Sequence, residues 1–398
     1  MDNPAIINGR AVSDTTIPIL KPYLPRFDEL ESDFKRVLAS GQITNGRFVR
    51  EFEARTSEFL GVRHCIAVSS CTAGMMLVAK ALRLSGEIIV PSFTFSATGH
   101  ALKWCGLQPV FVECRPDTFN IDPEHIRSNI HEGTSGILVP HIFGNPADVD
   151  TLTQIAETQG LSLFFDAAHG FGSTSQGRHI GRFGNAEIFS LSPTKVLISG
   201  EGGLIATDDK ELAEQLRIGR NYGDPGDYDC PFAGLNARMT EMGAIIGLAS
   251  LEMLDENIAR RTQIADQYRS ELSSLPGIQF QAIETGNTST WKDFTIRIDS
   301  DAFGLNRNRV AMALDAEGIQ SRKYFYPPLH LMTAYNDGKT SKIAPMPVTE
   351  GVSENVLSLP IYYSLKDDDI DRIVEAFHRI HRHADKINSY FDKKDGIC

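Results

Sequence analysis

Between roughly residues 60 and 210 the chain alternates short β-rich apolar runs with amphipathic helical stretches, and this alternation narrows its possible folds more than any other feature. A strand-like run at 66–68 leads into a helix-like 72–84. The pattern repeats as 88–90 into 96–104, 109–112 before 123–130, and 137–139 before 149–158, with 161–165 following. Alternation of this kind predicts a mostly parallel sheet with helices on both faces. In such sheets ligands sit at the carboxyl ends of the strands, so the residues just after each run are the first place to look for chemistry.

The remainder reads differently. From 239 to about 273 apolar residues recur at three- and four-residue spacings, as expected of a long connecting helix. Strand-like runs follow at 278–282 and 294–298, then a helical 307–317, a strand-like stretch near 320–325 and a helical one from 367 to about 389. This predicts a smaller α+β domain. With 398 residues, two domains are expected: an N-terminal arm with a large α/β domain over 1–255, and the smaller domain over 256–398. The arm carries Pro18, Pro22 and Pro25 ahead of a helix over 27–39.

Charge and cysteine usage remove several functional classes. The net charge of −12 leaves no overall positive field to collect phosphate backbones or anionic lipid, so neither nucleic acid nor membrane is expected as a partner. The six cysteines (Cys65, Cys71, Cys105, Cys114, Cys230 and Cys398) show no C-x-x-C pair and no histidines at zinc spacing. The expectation is reduced thiols in a cytoplasmic protein with no metal site. No apolar run has the length or flanks of an export signal or a spanning helix.

Two segments carry residue types that core packing does not require. In L-S-L-F-F-D-A-A-H-G at 161–170, an apolar run delivers Asp166 to a strand end beside two small residues. Alone, such an acid reads first as a turn or helix-capping aspartate. In F-S-L-S-P-T-K-V-L-I-S-G-E-G-G at 189–203, Lys195 stands between hydroxyl residues and an apolar triplet. Alone, it reads as a lysine that extends to solvent; among apolar neighbours a lysine can also have the lowered pKa that Schiff-base chemistry needs. Together, an acid at a strand end and a lysine 29 residues later are what pyridoxal phosphate requires. The amine takes the aldehyde, and the carboxylate keeps the pyridine nitrogen protonated. A phosphate cradle is available at S-S-C-T-A-G, 69–74, where a strand runs into a helix and free N–H groups favour an anion. Ser70, Thr72 and Ala73 are its natural contacts, although the same segment also reads as an ordinary capped helix start. S-F-T-F-S at 92–96 offers Phe95 for ring stacking, or simply for the core.

In this order and spacing the motifs resemble the DegT-type family of sugar aminotransferases, pyridoxal phosphate enzymes of fold type I. The resemblance runs from I-P-I-L-K-P-Y-L-P at 17–25 to V-L-S-L-P-I-Y at 356–362. It implies an aspartate-aminotransferase-like α/β fold with a mostly parallel seven-stranded sheet. It also implies roles: Lys195 as the aldimine lysine and proton shuttle, Asp166 as partner of the pyridinium nitrogen, Phe95 as the stacking ring, and His169 on the ring face or phenolic oxygen. Ser70, Cys71, Thr72, Ala73 and Ser190 fall at the phosphate contacts. Asn236, 41 residues past the lysine, matches an asparagine that reaches the neighbouring subunit's phosphate, so the resemblance implies a homodimer with shared sites. Arg220 and Tyr222 in R-N-Y-G, and Tyr326 and His330 in Y-P-P-L-H, resemble substrate-cleft residues. Two departures stand out: Cys71, where the family commonly has glycine, and the Ser192-Pro193-Thr194 approach to the lysine.

The resemblance implies a ping-pong transamination from an amino donor, glutamate being expected, to a keto-deoxy sugar linked to a nucleoside diphosphate. Dehydratases of the family carry histidine in place of the lysine, and Lys195 argues against that outcome. Arg220, Arg238, Arg322, Lys323 and His330 are candidates to hold a diphosphate. Two alternatives stay open at this point: an enzyme of the same family that aminates a cyclitol or makes an aromatic amine, and a non-catalytic regulator on the same scaffold.

Overall fold

The computed structural model describes residues 3–335 and 344–394; Cys398 lies outside them. The sheet at its centre has the strands β1 His64–Val68, β2 Glu87–Pro91, β3 Gln108–Val112, β4 Thr134–Pro140 and β5 Ser162–Asp166. A two-strand ribbon follows, β6 Thr174–Ser175 with β7 Arg178–His179, and the main sheet is completed by β8 Ala186–Ser190 and β9 Gly203–Thr207. Its order is β1-β9-β8-β5-β4-β2-β3. β9 runs antiparallel to both neighbours, and the other pairings are parallel. The mostly parallel seven-stranded expectation therefore holds.

The strands form where β-branched and aromatic residues are continuous enough to be buried on both faces. Ile66, Ala67, Val68, Ile88, Ile89, Val90, Phe164 and Phe165 have no exposed surface. Helices start where a polar residue can cap them: Ser70, Asp122, Asp148 and Asp209 each accept from a backbone N–H of the first turn that follows. The chain's alternation thus becomes sheet and flanking helices, with the carboxyl ends of β1, β2, β4, β5 and β8 on one edge. β9 begins on that same edge, since Gly203 pairs with both Val68 and Ser190.

A second apolar cluster is built on the antiparallel sheet β10 Ile278–Phe280, β11 Phe294–Ile298 and β12 Val356–Leu359, with helices Leu254–Leu272, Arg307–Ala316 and Asp367–Arg382. Three expectations need correction here. The long helical stretch from 239 is two helices, Glu241–Glu252 and Leu254–Leu272, joined at Met253, so the expected 255/256 boundary falls inside the second. The arm packs on other structure, as expected, and its start does so on the second cluster: Ile17 bridges Ile319, Ile17 belongs to that core, and the Ala5 and Val12 N–H groups donate to Glu317. The stretch at 320–325 forms no strand. Arg322 exchanges backbone hydrogen bonds with Ser358, and then Tyr324 and Phe325 turn toward the large sheet, where Pro327 and Pro328 supply no N–H to continue a ladder. The last helical stretch is likewise two helices, Asp367–Arg382 and Ala384–Lys394.

Among the described residues no helix is long and apolar enough to cross a membrane, and no group of three His, Cys, Asp or Glu is placed to hold a metal ion. The five described cysteines are unpaired.

Candidate active site

A cavity of ≈ 400 Å³ opens at the carboxyl edge of the sheet. It brings together Ser70, Cys71, Thr72, Phe95, Asp166, His169, Ser190 and Lys195, eight residues drawn from four separate stretches of the chain.

Lys195 is set by its loop. Its N–H donates to the Ser192 carbonyl, closing a turn after β8, while Val196, Leu197 and Ile198 are buried below it. The loop is pinned at its far end by Ser199 N–H on the Leu191 carbonyl and by Ile198 N–H on Ser250 Oγ. The apolar triplet thus anchors the backbone and leaves the lysine side chain facing the cavity. Burial, followed by the neighbouring Lys292 cation, pushes the Lys195 amine down from 10.5 to about 8.

Asp166 ends β5 and is buried. Its Oδ2 accepts from Thr98 Oγ1 at 2.7 Å. Oδ1 accepts from the Ala168 N–H at 3.2 Å and from the Cys71 thiol at 3.8 Å. Thr98, itself fully buried, is hydrogen-bonded to Thr94 Oγ1 at 2.9 Å, so a short hydroxyl chain stands behind the carboxylate. The side chain at 71 therefore contacts Asp166 rather than filling the cradle. Burial and Asp166 raise its thiol well above the usual range, which leaves it an inert neutral donor.

His169 packs its ring parallel to Phe143 and Phe325. Nδ1 accepts from the Phe143 N–H at 3.2 Å. Burial, with Lys195 and Lys292 adding to it, holds the imidazole well below its ordinary range, so the ring is neutral and its proton is on Nε2.

The helix Cys71–Ala81 points its N-terminus into the cavity. Ser70 Oγ caps it by accepting from the Ala73 N–H, which leaves the N–H groups of Cys71 and Thr72 without an intrahelical partner. Ser190, Ser192 and Thr194 add hydroxyls around the same end. A Cβ on Gly203 would stand 2.6 Å from the Cys71 nitrogen, so only glycine lets β9 run this close to the cradle.

Other residues of the expected set lie elsewhere. Ala73 contributes to the cap but does not line the cavity. Asn236 is exposed and pairs across to Asn221. Tyr222 is exposed with Arg238 over its ring, and Tyr326 is exposed with Arg307 over its ring. Arg220 is buried and committed to Glu53 and the Ala67 carbonyl. His330 is buried between Ser92 and Glu350. Neither of these last two reaches the cavity, because each already satisfies a buried polar partner.

Sequence reading missed Lys292, Asp293, Tyr324 and His141, all of which line the cavity. Lys292 Nζ contacts both Asp293 oxygens, at 2.9 and 3.0 Å. His141 Nδ1 accepts from the Ala147 N–H, so Nε2 donates to the buried Glu187 carboxylate, and the ring stacks on Phe165 beneath Asp166. W-K-D-F at 291–294 reads locally as an ordinary charge pair before a strand, which left no signal for its place in the site.

The sequence pattern of the DegT/DnrJ/EryC1/StrS aminotransferase family matches residues 27–378. The chain belongs to this family. A relative from Escherichia coli, dTDP-4-amino-4,6-dideoxy-D-glucose transaminase, is 34% identical over 368 residues, covering 92% of this chain and 98% of that protein. GDP-perosamine synthase from Caulobacter vibrioides is 33% identical over 372 residues, covering 92% and 99%. A crystal structure of DesI, obtained in the presence of its TDP-sugar product, superposes with a TM-score of 0.92 at 36% identity, covering 97% of this chain and 98% of that one. As a member of the DegT family this chain is an aminotransferase.

Proposed function

We propose that the chain is a pyridoxal phosphate-dependent aminotransferase that moves an amino group from an amino acid, L-glutamate, to the ketone of a deoxy sugar carried on a nucleoside diphosphate. The observation that carries this reading is the meeting of Lys195 and Asp166 in one cavity with a capped helix N-terminus. The donor set fits the cofactor: a lysine amine pushed down to about 8, a carboxylate held by three donors, and backbone N–H groups with hydroxyls for a phosphate. The full-length similarity to enzymes named for dTDP- and GDP-linked amino sugars supports the acceptor class.

When bound, pyridoxal phosphate supplies an aldehyde that amines condense with and a ring that takes up the electron pair left by a departing proton. The chain does the rest. Lys195 Nζ would be the amine that condenses with the aldehyde and, when free, the group that moves the substrate proton; burial, which pushes that amine down to about 8, favours its neutral, proton-accepting form. Asp166 pairs with the protonated ring nitrogen, and the donors behind it keep its oxygens oriented. Ser70, Thr72 and Ser190, with the N–H groups of Cys71 and Thr72, hold the phosphate. His169 offers its Nε2–H to the ring or its phenolic oxygen. Phe95, 55% exposed at the cavity mouth, and the rings of Tyr324 and Phe325 exclude water from the reacting atoms. Tyr222 and Tyr326 remain in the proposed substrate cleft. Arg220 and His330 drop out, since neither lines the cavity and each is held by partners outside it, Arg220 by Glu53 and the Ala67 carbonyl, His330 by Ser92 and Glu350.

The partner reading is a homodimer in which the exposed Asn236 completes the neighbouring subunit's phosphate site. The experiment that tests the function is an absorption spectrum of the purified protein with pyridoxal phosphate, followed by glutamate and then a panel of nucleotide-linked keto sugars and inosose ketones. Loss of the long-wavelength band with glutamate, and its return with a nucleotide-linked ketone, is the expected result. Return only with an inosose would move the acceptor to a cyclitol, and no chromophore at all would sink the reading.

A further inference from the structure

Lys195 is not the only lysine facing this cavity. Lys292 lies in the segment before β11, its ammonium gripped by Asp293 and set 5.7 Å from the centre of the Tyr324 ring. The side chains of the pair are only 7% and 10% exposed. A buried charged pair at the wall of a binding cavity costs desolvation that an apolar pair would not, which is a reason to ask what the charge acts on.

The backbone that presents Lys292 is tied to the backbone that presents Lys195. From the helix Leu254–Leu272, Asn257 Nδ2 donates to the carbonyl of Val196, the residue after Lys195. One turn on, the fully buried Arg261 donates from Nε to Asn257 Oδ1, and from Nη1 to the carbonyls of Trp291 and Lys292. The Lys292 N–H in turn donates to the Phe143 carbonyl. Both Trp291 and Phe143 take the left-handed conformation, at φ 49° and 61°, which bulky residues adopt only where the surroundings force it. A single hydrogen-bonded relay thus ties the backbone beside Lys195 to the backbone of Lys292.

We infer that Lys292, held as a cation by Asp293, is a positioning residue that works on Lys195 through the electric field, disfavouring the protonated form of its amine so that the amine is free to take up the substrate proton. This rests on the reading of Lys195 as the reacting lysine. A cation beside a nucleophilic lysine is a known way to free its amine. The titratable groups that line the cavity with Lys195 are Cys71 on its helix, His141 after β4, Asp166 at the end of β5, His169 in the following turn, Glu201 in the turn before β9, Tyr324, and the Lys292–Asp293 pair. Cys71 and His169 are neutral, and Asp166 and Asp293 act in the opposite sense to Lys292. Lys292 is thus the cation of the set that opposes protonation of Lys195. Its own pairing with Asp293 makes it poorly suited to capture a substrate carboxylate instead.

The test follows Lys195 itself. In the full chain freed of cofactor, lysines are reductively methylated with ¹³C-formaldehyde and titrated by NMR, the Lys195 resonance being assigned with Lys195→Arg. The native midpoint is expected near 8. In Lys292→Met it rises by about one pH unit, a tenfold gain in proton affinity, while Lys292→Arg, which keeps the charge, stays within a few tenths of a unit of native. With cofactor bound, the pH midpoint of the visible band moves the same way in Lys292→Met. An unmoved midpoint in Lys292→Met overturns the inference, as does an equal rise in Lys292→Arg, which would mark a merely structural role. If Lys292→Met does not fold, a native midpoint in the ordinary lysine range overturns it by itself. A chain that bleaches with glutamate while Lys292→Met leaves the midpoint in place refutes this inference and keeps the functional reading; midpoints that move as stated in a chain that never reacts with an amino donor refute the functional reading alone.

Discussion

At the scale of single residues, the site is a set of polar groups whose partners decide what they can do. Asp166 shows this best. Its Oδ2 rests on Thr98, a buried residue that neither contacts the cavity nor carries any charge. A hydrogen bond to a charged group is worth about 1.5–3 kcal/mol. Thr98→Val keeps the shape and removes that bond, so affinity for pyridoxal phosphate is expected to fall about tenfold, read by fluorescence titration of the purified chain. Thr98→Ser, which restores the hydroxyl, is expected to recover most of the loss; equal affinities in all three proteins would show that the hydroxyl chain behind Asp166 is idle. Asp166 and Lys195 were legible in the sequence as a pair, an acid at the end of an apolar run and a lysine 29 residues later, although each alone reads as an ordinary cap or surface residue. Thr98 and Lys292 were not legible. Their meaning comes from what lies across the cavity, and nothing in S-A-T-G or W-K-D-F encodes that.

Elements show the same division. Apolar runs located every strand of the large sheet between 60 and 170, since continuous burial leaves a pattern in the residues themselves. The direction of β9 left none, because an apolar strand reads alike whether it joins its neighbours parallel or antiparallel. Helix breaks at Met253 and His383 occur without glycine or proline, so periodicity ran through them. Helix starts can also be capped from a distance. The helix Arg47–Leu60 has no side-chain cap of its own; its N-terminal N–H groups, from Gly46, Phe48 and Val49, donate to the buried carboxylate of Glu241. Glu241 opens the helix Glu241–Glu252, so one carboxylate joins two helix N-termini that favour negative charge. Glu241→Ala leaves three buried donors without an acceptor and is expected to cost about 3 kcal/mol of unfolding free energy, measured by urea denaturation. A loss under half that value would mean that the helix start opens to water instead.

Across the whole molecule, several side chains make sense only against something that covers them. Phe27, Trp104 and Tyr228 are 69%, 79% and 93% exposed, and Phe95, at the cavity, and Tyr222 are half-exposed. The proposed two-fold dimer would cover some of these side chains. Asn236 is exposed and does not line its own chain's cavity. If it completes the neighbouring subunit's phosphate site, two inactive variants can repair each other. Lys195→Ala removes the reacting amine, and Asn236→Ala removes the group lent across the interface. In a mixed dimer one site receives both defects and the other receives neither. With random exchange half of the dimers are mixed, so activity is expected to return to about one quarter of the native value. The measurement is glutamate-dependent turnover after co-expression or partial unfolding and refolding of the two variants together, at several mixing ratios. Each variant alone should stay near zero throughout. An Asn236 that acts on its own subunit's cofactor gives a mixed dimer with no intact site, and recovery would then be absent at every ratio, whatever the strength of the dimer.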